Sequence, residues 1–276
     1  RGKYEGAVKA FQNALGESIG HIGEKELDIC FYKAKAQALD GKTKDALATY
    51  NAIIKYNKDA RAYYLRGDLY MDMGEEKKGK ADFESAVQHG KKNYEIYIGI
   101  YESLSRHEKK DEGQKYLSAA MEIKGDKPED ELYKGRISYL LGENKDAISY
   151  LEKAKEHKQM LASYYLGLAY DANGDSDKAK KCIAEYIKSG VATSYDLYEL
   201  GMQEMQDGNY KNALTYFNSG LELEKVPNKQ NLMKSAIAAY EYSGDFDSAK
   251  KMMKEYLKAY PDDEEAKHEN TFLETR

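Results

Sequence analysis

Residues 208–217, GNYKNALTYF, decide the fold of this 276-residue chain. The stretch opens with a glycine, has a small residue, Ala213, five positions later, and has a large ring, Phe217, four positions beyond that. Glycine adopts the left-handed backbone conformation that ends a helix more readily than other residues do. The pattern therefore predicts a turn followed by a helix, and Ala213 marks where a neighbouring helix approaches closely.

The same pattern recurs along the whole chain with a period close to 34 residues. Its small residues are Ala7, Ala46, Gly79, Gly113, Ala147, Ala179, Ala213 and Ala249. Their successive spacings are 39, 33, 34, 34, 32, 34 and 36 residues. A large apolar residue follows each small one by four positions, from Phe11 to Met253. Each period predicts a helical hairpin, and one hairpin must stack on the next because it cannot bury its apolar face alone.

The composition agrees with an all-α chain. Hydrophobic residues make up 41% and charged residues 33% of the chain, with only 3 prolines, which favours helices that keep one face in water. The net charge of −5 provides no basic stripe for phosphate groups, so nucleic acid is not an expected partner. No stretch approaches the length of about 18 apolar residues that a membrane-spanning helix needs, so no membrane span is expected.

The repeats resemble those of the tetratricopeptide repeat family. Residues 160–193 carry Leu166-Gly167, Tyr170, Gly174 and Ala179 at the family's spacing, and residues 256–261, YLKAYP, are similar to its closing segment. The resemblance covers nearly the whole chain. It implies a right-handed α-solenoid, a superhelix of about seven hairpins, with an N-terminal half-repeat and a C-terminal capping helix.

The repeat spacing gives the expected boundaries within a single solenoid domain over 1–276. They are a half-repeat at 1–26, repeats at about 27–59, 60–93, 94–127, 128–159, 160–193, 194–226 and 227–261, and a capping helix at 262–276. Residues 2–7 are typical of the turn and second helix of a hairpin, so the sequence is expected to be a fragment. Its localisation, cytoplasmic or extracytoplasmic and anchored, therefore stays open.

Two segments depart from the regular pattern. In the repeat at 94–127, Tyr101 occupies the position of the small first-helix residue, and its ring is expected to fill the space beside Gly113. The same repeat lacks the turn glycine, so irregular geometry is expected in this repeat before any other. The glycine-rich connection at 16–24, which contains His21, is expected to be the longest loop between hairpins and to relieve packing geometry.

The resemblance also implies a binding surface, because the family's ligands usually lie in the groove formed by the first helices. The residues expected to project there are Tyr64, Asp68, Asp72, Glu95, Glu102, Arg136, Tyr139, Tyr164, Asp171, Tyr195, Tyr198, Met202, Met205, Lys234 and Glu241. Aromatic rings give a large contact area at low entropic cost, and methionine adapts to irregular surfaces. Such a groove favours an extended or helical partner peptide with apolar and basic residues.

Three other functions were weighed. The first is a structural subunit of a larger or surface-anchored assembly that uses the convex face or the terminal repeat edge, and the oligomeric state stays open. The second is an RNA-binding helical-repeat protein, which the acidic groove disfavours. The third is an enzyme: the five histidines are scattered, Cys30 and Cys182 lie 152 residues apart, and no catalytic, metal or cofactor motif is present. The sequence therefore predicts a binding scaffold without catalytic activity and without a cofactor.

Overall fold

The computed structural model describes residues 4–17, 23–125 and 127–276. These ranges contain sixteen helices and no strand. The helices are α1 (Glu5–Glu17), α2 (Glu24–Leu39), α3 (Thr43–Asn57), α4 (Ala60–Asp72), α5 (Glu76–His89), α6 (Tyr94–Arg106), α7 (Lys110–Met121), α8 (Pro128–Leu141), α9 (Asn144–Glu156), α10 (Ala162–Ala172), α11 (Ser176–Lys188), α12 (Ser194–Gln206), α13 (Tyr210–Leu221), α14 (Lys229–Tyr242), α15 (Phe246–Ala259) and α16 (Glu264–Glu274). The predicted all-α fold of consecutive hairpins is confirmed.

The chain divides into two compact units, residues 1–181 and 182–276. In the first unit α2 packs on α3, α4 on α5, α6 on α7 and α8 on α9 as hairpins, and in the second α12 packs on α13 and α14 on α15. The first helices of successive hairpins also contact each other, as α4 does with α6 and α12 with α14. Helix α16 packs on α15 within the second unit, inside the range expected for a capping helix.

Small residues lie where the two helices of a hairpin meet. In the first unit a Cβ atom on Gly67 would lie 2.9 Å from ring carbons of Phe83, and one on Gly135 would lie 2.4 Å from Leu151 Cγ. In the second unit a Cβ atom on Gly201 would lie 2.2 Å from the ring of Phe217. The large residue of the repeat thus fills the space that the glycine of the partner helix leaves within the same hairpin.

The turn of the 94–127 repeat has the same backbone geometry as the equivalent turns, so the irregular geometry expected in this repeat does not occur at its turn. Glu108 has a φ of 60°, close to the 74° of Gly74 and the 75° of Gly208 in equivalent turns. The following residue, Lys109, donates its backbone N–H to Leu104 O at 2.8 Å, as Glu75 does to Tyr70. A non-glycine residue therefore takes the left-handed conformation that the other repeats give to glycine.

The pairing of Tyr101 with Gly113 is present. A Cβ atom on Gly113 would lie 3.1 Å from both Tyr101 Cα and its ring atom Cδ2. Tyr101 is buried, and its hydroxyl donates to Leu140 O of α8 at 3.4 Å. The ring therefore reaches from one hairpin to the next over the glycine.

Several expectations concern the N-terminal region. Residues 1–3 and 18–22, which include His21 of the glycine-rich connection, lie outside the described residues. Helix α1 packs on α2, and the ring of Phe11 stacks on that of Tyr32 with centroids 6.1 Å apart. None of the helices in the described ranges has the length and apolar character required to cross a membrane.

Candidate functional site

In the first unit, ion pairs join the first helices at the candidate residues. Asp68 of α4 accepts a hydrogen bond from Arg106 Nη2 of α6 at 2.5 Å. Asp72 Oδ1 lies 3.3 Å from Nε2 of His107, which follows α6. Both acidic groups of α4 thus face basic groups of the next repeat.

Arg136 of α8 continues this series. Its Nη1 lies 3.3 Å from Glu95 Oε2 and its Nη2 donates to Glu102 Oε1 at 3.1 Å, so one guanidinium joins two acids of α6. The same guanidinium lies 5.4 Å from the ring centre of Tyr165 on α10. Because Asp68, Glu95 and Glu102 are paired in this way, the acidic character suggested by the sequence is largely balanced within this unit.

The candidate tyrosines in the first unit are partly buried in packing contacts. A Cβ atom on Gly99 would lie 2.6 Å from Tyr64 Cζ, so the ring of Tyr64 lies directly over α6. Burial is the main reason that the pKa of Tyr64 is raised far above its ordinary value. Burial likewise raises the pKa of Tyr139, with a smaller contribution from Asp171. Tyr164 is half-buried and meets Tyr165 edge-on, with ring centroids 5.1 Å apart.

In the second unit, α12 presents rings and thioethers together. Tyr195 in the first turn of α12 is 55% exposed. Tyr198 is half-buried, with its ring 6.2 Å from that of Phe217, and Met202 and Met205 border the same core. Ser235 of α14 donates to Met202 Sδ at 3.6 Å. We call the surface formed by these two helices the α12–α14 face.

A cavity of about 450 Å³ lies among α14, α15 and α16, also within the second unit. Glu241 contributes a carboxyl oxygen, Oε1, that is fully buried and receives no hydrogen bond from any residue that the structure describes. Burial, and after it the nearby carboxyl group of Glu269, raises the pKa of Glu241 to about 7. The cavity is lined by Lys234, Ile237, Ala238, Glu241, Tyr242, Met253, Tyr256, Glu265, Ala266 and Glu269.

At one side of this cavity Asp263 joins three elements. Its carboxylate accepts from the Tyr256 hydroxyl at 2.5 Å and from the backbone N–H of Ala266 at 3.1 Å, and it lies 2.9 Å from Lys234 Nζ. These donors, with Tyr256 first, hold the pKa of Asp263 far below its usual range. Lys234 is therefore engaged by Asp263, with Glu265 3.5 Å away on the other side.

Arg106 and Glu269 are among the residues of these clusters that the predicted groove lacks. Arg106 occupies the thirteenth position of its repeat, as the predicted Asp72 does in the repeat at 60–93, so the spacing itself pointed to it. Glu269 lies on α16, outside the repeats that define the groove. Within the described ranges, no group of three or more His, Cys, Asp or Glu side chains is placed to hold a metal ion.

Family models described as tetratricopeptide repeat match residues 60–88, 161–189 and 230–263. These segments cover all of α10 and α11, and all but one residue of the α4–α5 hairpin and of the α14–α15 hairpin. No curated protein matches the chain in sequence.

Solved structures show the same fold. The chain is similar to yeast Tom70 at 15% identity, with a TM-score of 0.63, over 99% of this chain and 58% of that one. It is similar to a tetratricopeptide repeat protein from Parabacteroides merdae at 12% identity, with a TM-score of 0.52, over 86% of this chain and 93% of that one. The match to the APC/C hetero-tetramer Cut9–Hcn1 has 16% identity and a TM-score of 0.49, over 98% of this chain and 53% of that one.

Proposed function

Because the chain belongs to the tetratricopeptide repeat family, we propose that it is a non-enzymatic scaffold that binds a partner peptide on the surface of its first helices. The fold supports a protein-interaction role, since stacked hairpins provide long, preformed surfaces. A preformed surface loses little conformational entropy when an extended or helical peptide binds. The proposed residues are those of the predicted groove, and the α12–α14 face carries their exposed and half-buried apolar side chains.

The observation that carries this proposal is the arrangement of α12. Tyr195 is 55% exposed, and next to it Tyr198, Met202 and Met205 are only partly covered by the core of their own unit. Exposed rings and thioethers on neighbouring turns are typical of binding surfaces, because each adds apolar contact area with little loss of side-chain freedom. The α12–α14 face therefore suits apolar side chains of a peptide.

The two units contribute differently to the expected preference for a basic peptide. Four of the five candidate acids of the first unit, Asp68, Asp72, Glu95 and Glu102, are paired with Arg106, His107 and Arg136, so this surface offers few free carboxylates to a basic peptide. The second unit retains carboxyl groups near the α12–α14 face, at Glu241 and Glu269. A preference for basic residues in the partner is therefore expected to arise mainly from the second unit.

A random-peptide display selection tests the proposal. The protein is compared with a variant carrying Tyr195→Ala, Tyr198→Ala and Met202→Ala, and with a control, Tyr56→Ala, which removes a ring that is 54% exposed on a second helix. We expect related peptides to be enriched by the protein and the control but not by the triple variant. Circular dichroism establishes that all three are folded.

Two outcomes contradict the proposal. If peptides enriched on the protein bind the triple variant equally well, the α12–α14 face is not the site. If nothing is enriched and light scattering shows a defined oligomer, the chain is better described as a structural subunit of an assembly.

A further inference from the structure

The cavity among α14, α15 and α16 contains an incomplete electrostatic arrangement. Glu241 and Glu269 bring their carboxyl groups together, and Oε1 of Glu241 is buried without a donor. A buried carboxyl oxygen without a donor loses its hydration and gains nothing in return. Lys234 lines the same cavity, but its ammonium group is held by Asp263 at 2.9 Å. Among the described residues, no basic side chain thus donates to Oε1 of Glu241.

The walls of the cavity have a different character from this acidic pair. Ile237, Ala238 and Met253 contribute apolar surface, and the ring of Tyr242 stands at the edge, 68% exposed. Tyr242 is held in place by stacking on Tyr210, with ring centroids 5.4 Å apart. A volume of about 450 Å³ is within the range of cavities that enclose whole small ligands, so a single long side chain fits easily.

A cavity that combines apolar walls with two carboxyl groups matches the structure of a basic side chain. Arginine and lysine have an apolar stem and a charged head, and arginine carries several N–H donors in a planar fork that suits carboxylates. Aromatic rings such as Tyr242 at the entrance add a favourable interaction with the cation.

We propose that this cavity receives a basic side chain of the partner peptide, with its charged head on the Glu241–Glu269 pair and its stem beside Tyr242. This inference rests on the proposed function, because it names the chemistry of the partner at one point of the peptide-binding surface. It also explains how a surface on which Asp68, Asp72, Glu95 and Glu102 are paired selects a basic residue.

Binding of a cation at the Glu241–Glu269 pair is coupled to the release of a proton from Glu241. The pKa of Glu241 is about 7, so part of the population carries a proton that a cationic ligand displaces. Affinity for a basic side chain is therefore expected to rise from pH 6 to pH 8. The other titratable groups that face the cavity from the three helices are Lys234, Tyr242, Tyr256, Glu265 and Glu269.

The first experiment is an NMR titration at pH 8 with the peptide acetyl-Ala-Arg-Ala-amide. The neutral isostere acetyl-Ala-citrulline-Ala-amide is the matched ligand. We expect the arginine peptide to shift the resonances of Ala238 and Ala266 and to bind about tenfold more tightly than the citrulline peptide, because only the former offers a charge. Equal binding of the two peptides, or no shift at these alanines, overturns the proposal.

Variants of the two carboxyl groups test whether the preference for arginine arises in the cavity. The double variant Glu241→Gln, Glu269→Gln is expected to lose the preference for arginine over citrulline. The control Glu255→Gln removes an exposed charge on α15 outside the cavity and is expected to keep the preference. If the double variant keeps the preference, the cavity is not the site of the basic side chain.

A repeat of the peptide selection separates this inference from the proposed function. Basic residues are expected at one position of the peptides enriched by the protein, and that preference is expected to disappear with the double variant while the apolar positions remain. Enriched peptides without a basic position contradict the cavity proposal and leave peptide binding intact. If no peptide is enriched, the proposed function fails, and the NMR titration decides the cavity proposal by itself.

Discussion

Glu108 lies in the left-handed backbone conformation, which is costly for a residue other than glycine. It is exposed and has a φ of 60°, a conformation in which a side chain crowds the backbone. Lys58 and Lys158, which end α3 and α9, share this conformation with φ values of 53° and 59°. The neighbouring helices impose it, because the turn between them accepts no other geometry.

Replacing Glu108 by glycine is expected to raise the free energy of unfolding by about 0.5–1 kcal/mol, because glycine adopts a positive φ without crowding. Urea denaturation followed by circular dichroism measures the change. Glu108→Ala is the matched control: it removes the same side chain but keeps a Cβ atom, so no gain is expected. Equal gains in the two variants would show that the charge of Glu108, and not its backbone conformation, is responsible.

The opposite change at Gly113 is expected to be severe. A Cβ atom there already lies 3.1 Å from Tyr101, so Gly113→Leu is expected to destabilise the protein by about 3 kcal/mol through overpacking. The control is Gly6→Leu on α1, where a Cβ atom meets nothing within 4 Å. Thermal unfolding compares the two. An unchanged melting temperature in Gly113→Leu would contradict the packing of Tyr101 on this glycine.

At the residue level, the sequence predicted contacts correctly where the size of the side chains determines the packing. The pairing of Tyr101 with Gly113 follows from the repeat spacing, because a missing small residue on one helix requires a smaller one opposite. The left-handed conformation of Glu108 did not follow, since glutamate seldom adopts it and tertiary contacts impose it here. Ion pairs such as that of Arg136 with Glu95 also depend on side-chain rotamers, which periodicity does not determine.

At the scale of the element, α16 depends on Asp263. This residue caps the helix by accepting from the N–H of Ala266 and also ties it to α15 and α14 through Tyr256 and Lys234. The carboxylate therefore stabilises the attachment of the last helix by three separate contacts.

Asp263→Ala is expected to detach α16 and to increase hydrogen exchange of its backbone amides, with less effect on α12 and α13. Asp262→Ala, the change of an exposed neighbour, is the control and is expected to leave exchange unaltered. Because the pKa of Asp263 is lowered in the folded state, its stabilisation is present above about pH 4 and is lost on further acidification. Full protection of α16 in Asp263→Ala would contradict this anchoring role.

The contribution of Glu241 to stability depends on pH in the opposite direction. Its folded pKa of about 7 lies above the value of about 4.3 for an exposed glutamate, so the folded state holds its proton more tightly. Its contribution is fully present below about pH 4.3 and is lost as the pH rises through 7. Glu241→Gln is therefore expected to raise the melting temperature by a few degrees at about pH 8 and little at about pH 5.

The control for this comparison is Glu255→Gln, which removes an exposed carboxylate from the same unit. Its melting temperature is expected to differ from that of the unmodified protein by the same amount at both pH values. If Glu241→Gln behaves in the same way, the carboxyl group is ionised normally and the acidic pair of the cavity has no energetic consequence.

At the scale of the whole molecule, stability is expected to be distributed along the chain. A hairpin contacts mainly the hairpins before and after it, so a local change weakens its neighbours first. Hydrogen exchange of Gly113→Leu is therefore expected to increase most in α6, α7 and α8 and progressively less in helices further along the chain. A uniform increase in every helix would indicate a single cooperative unit instead.

The organisation of the chain was more predictable than its binding surface. Eight small residues at a period near 34 determined where hairpins occur, since close helix packing requires them. The character of the candidate site was only partly foreseen, because Arg106 and Glu269 come from other repeats than the acids they meet. Whether a carboxylate is paired depends on which turns of two stacked helices face each other.

The contacts between hairpins join residues that are close in sequence, and this has a consequence for folding during synthesis. The guanidinium of Arg136 meets a carboxylate only 41 positions earlier in the chain, and Tyr101 bonds to a carbonyl 39 positions later. During synthesis each new hairpin thus finds the hairpin before it already made, and its own far side is covered when the next hairpin emerges. The order of translation and the order of stacking therefore coincide.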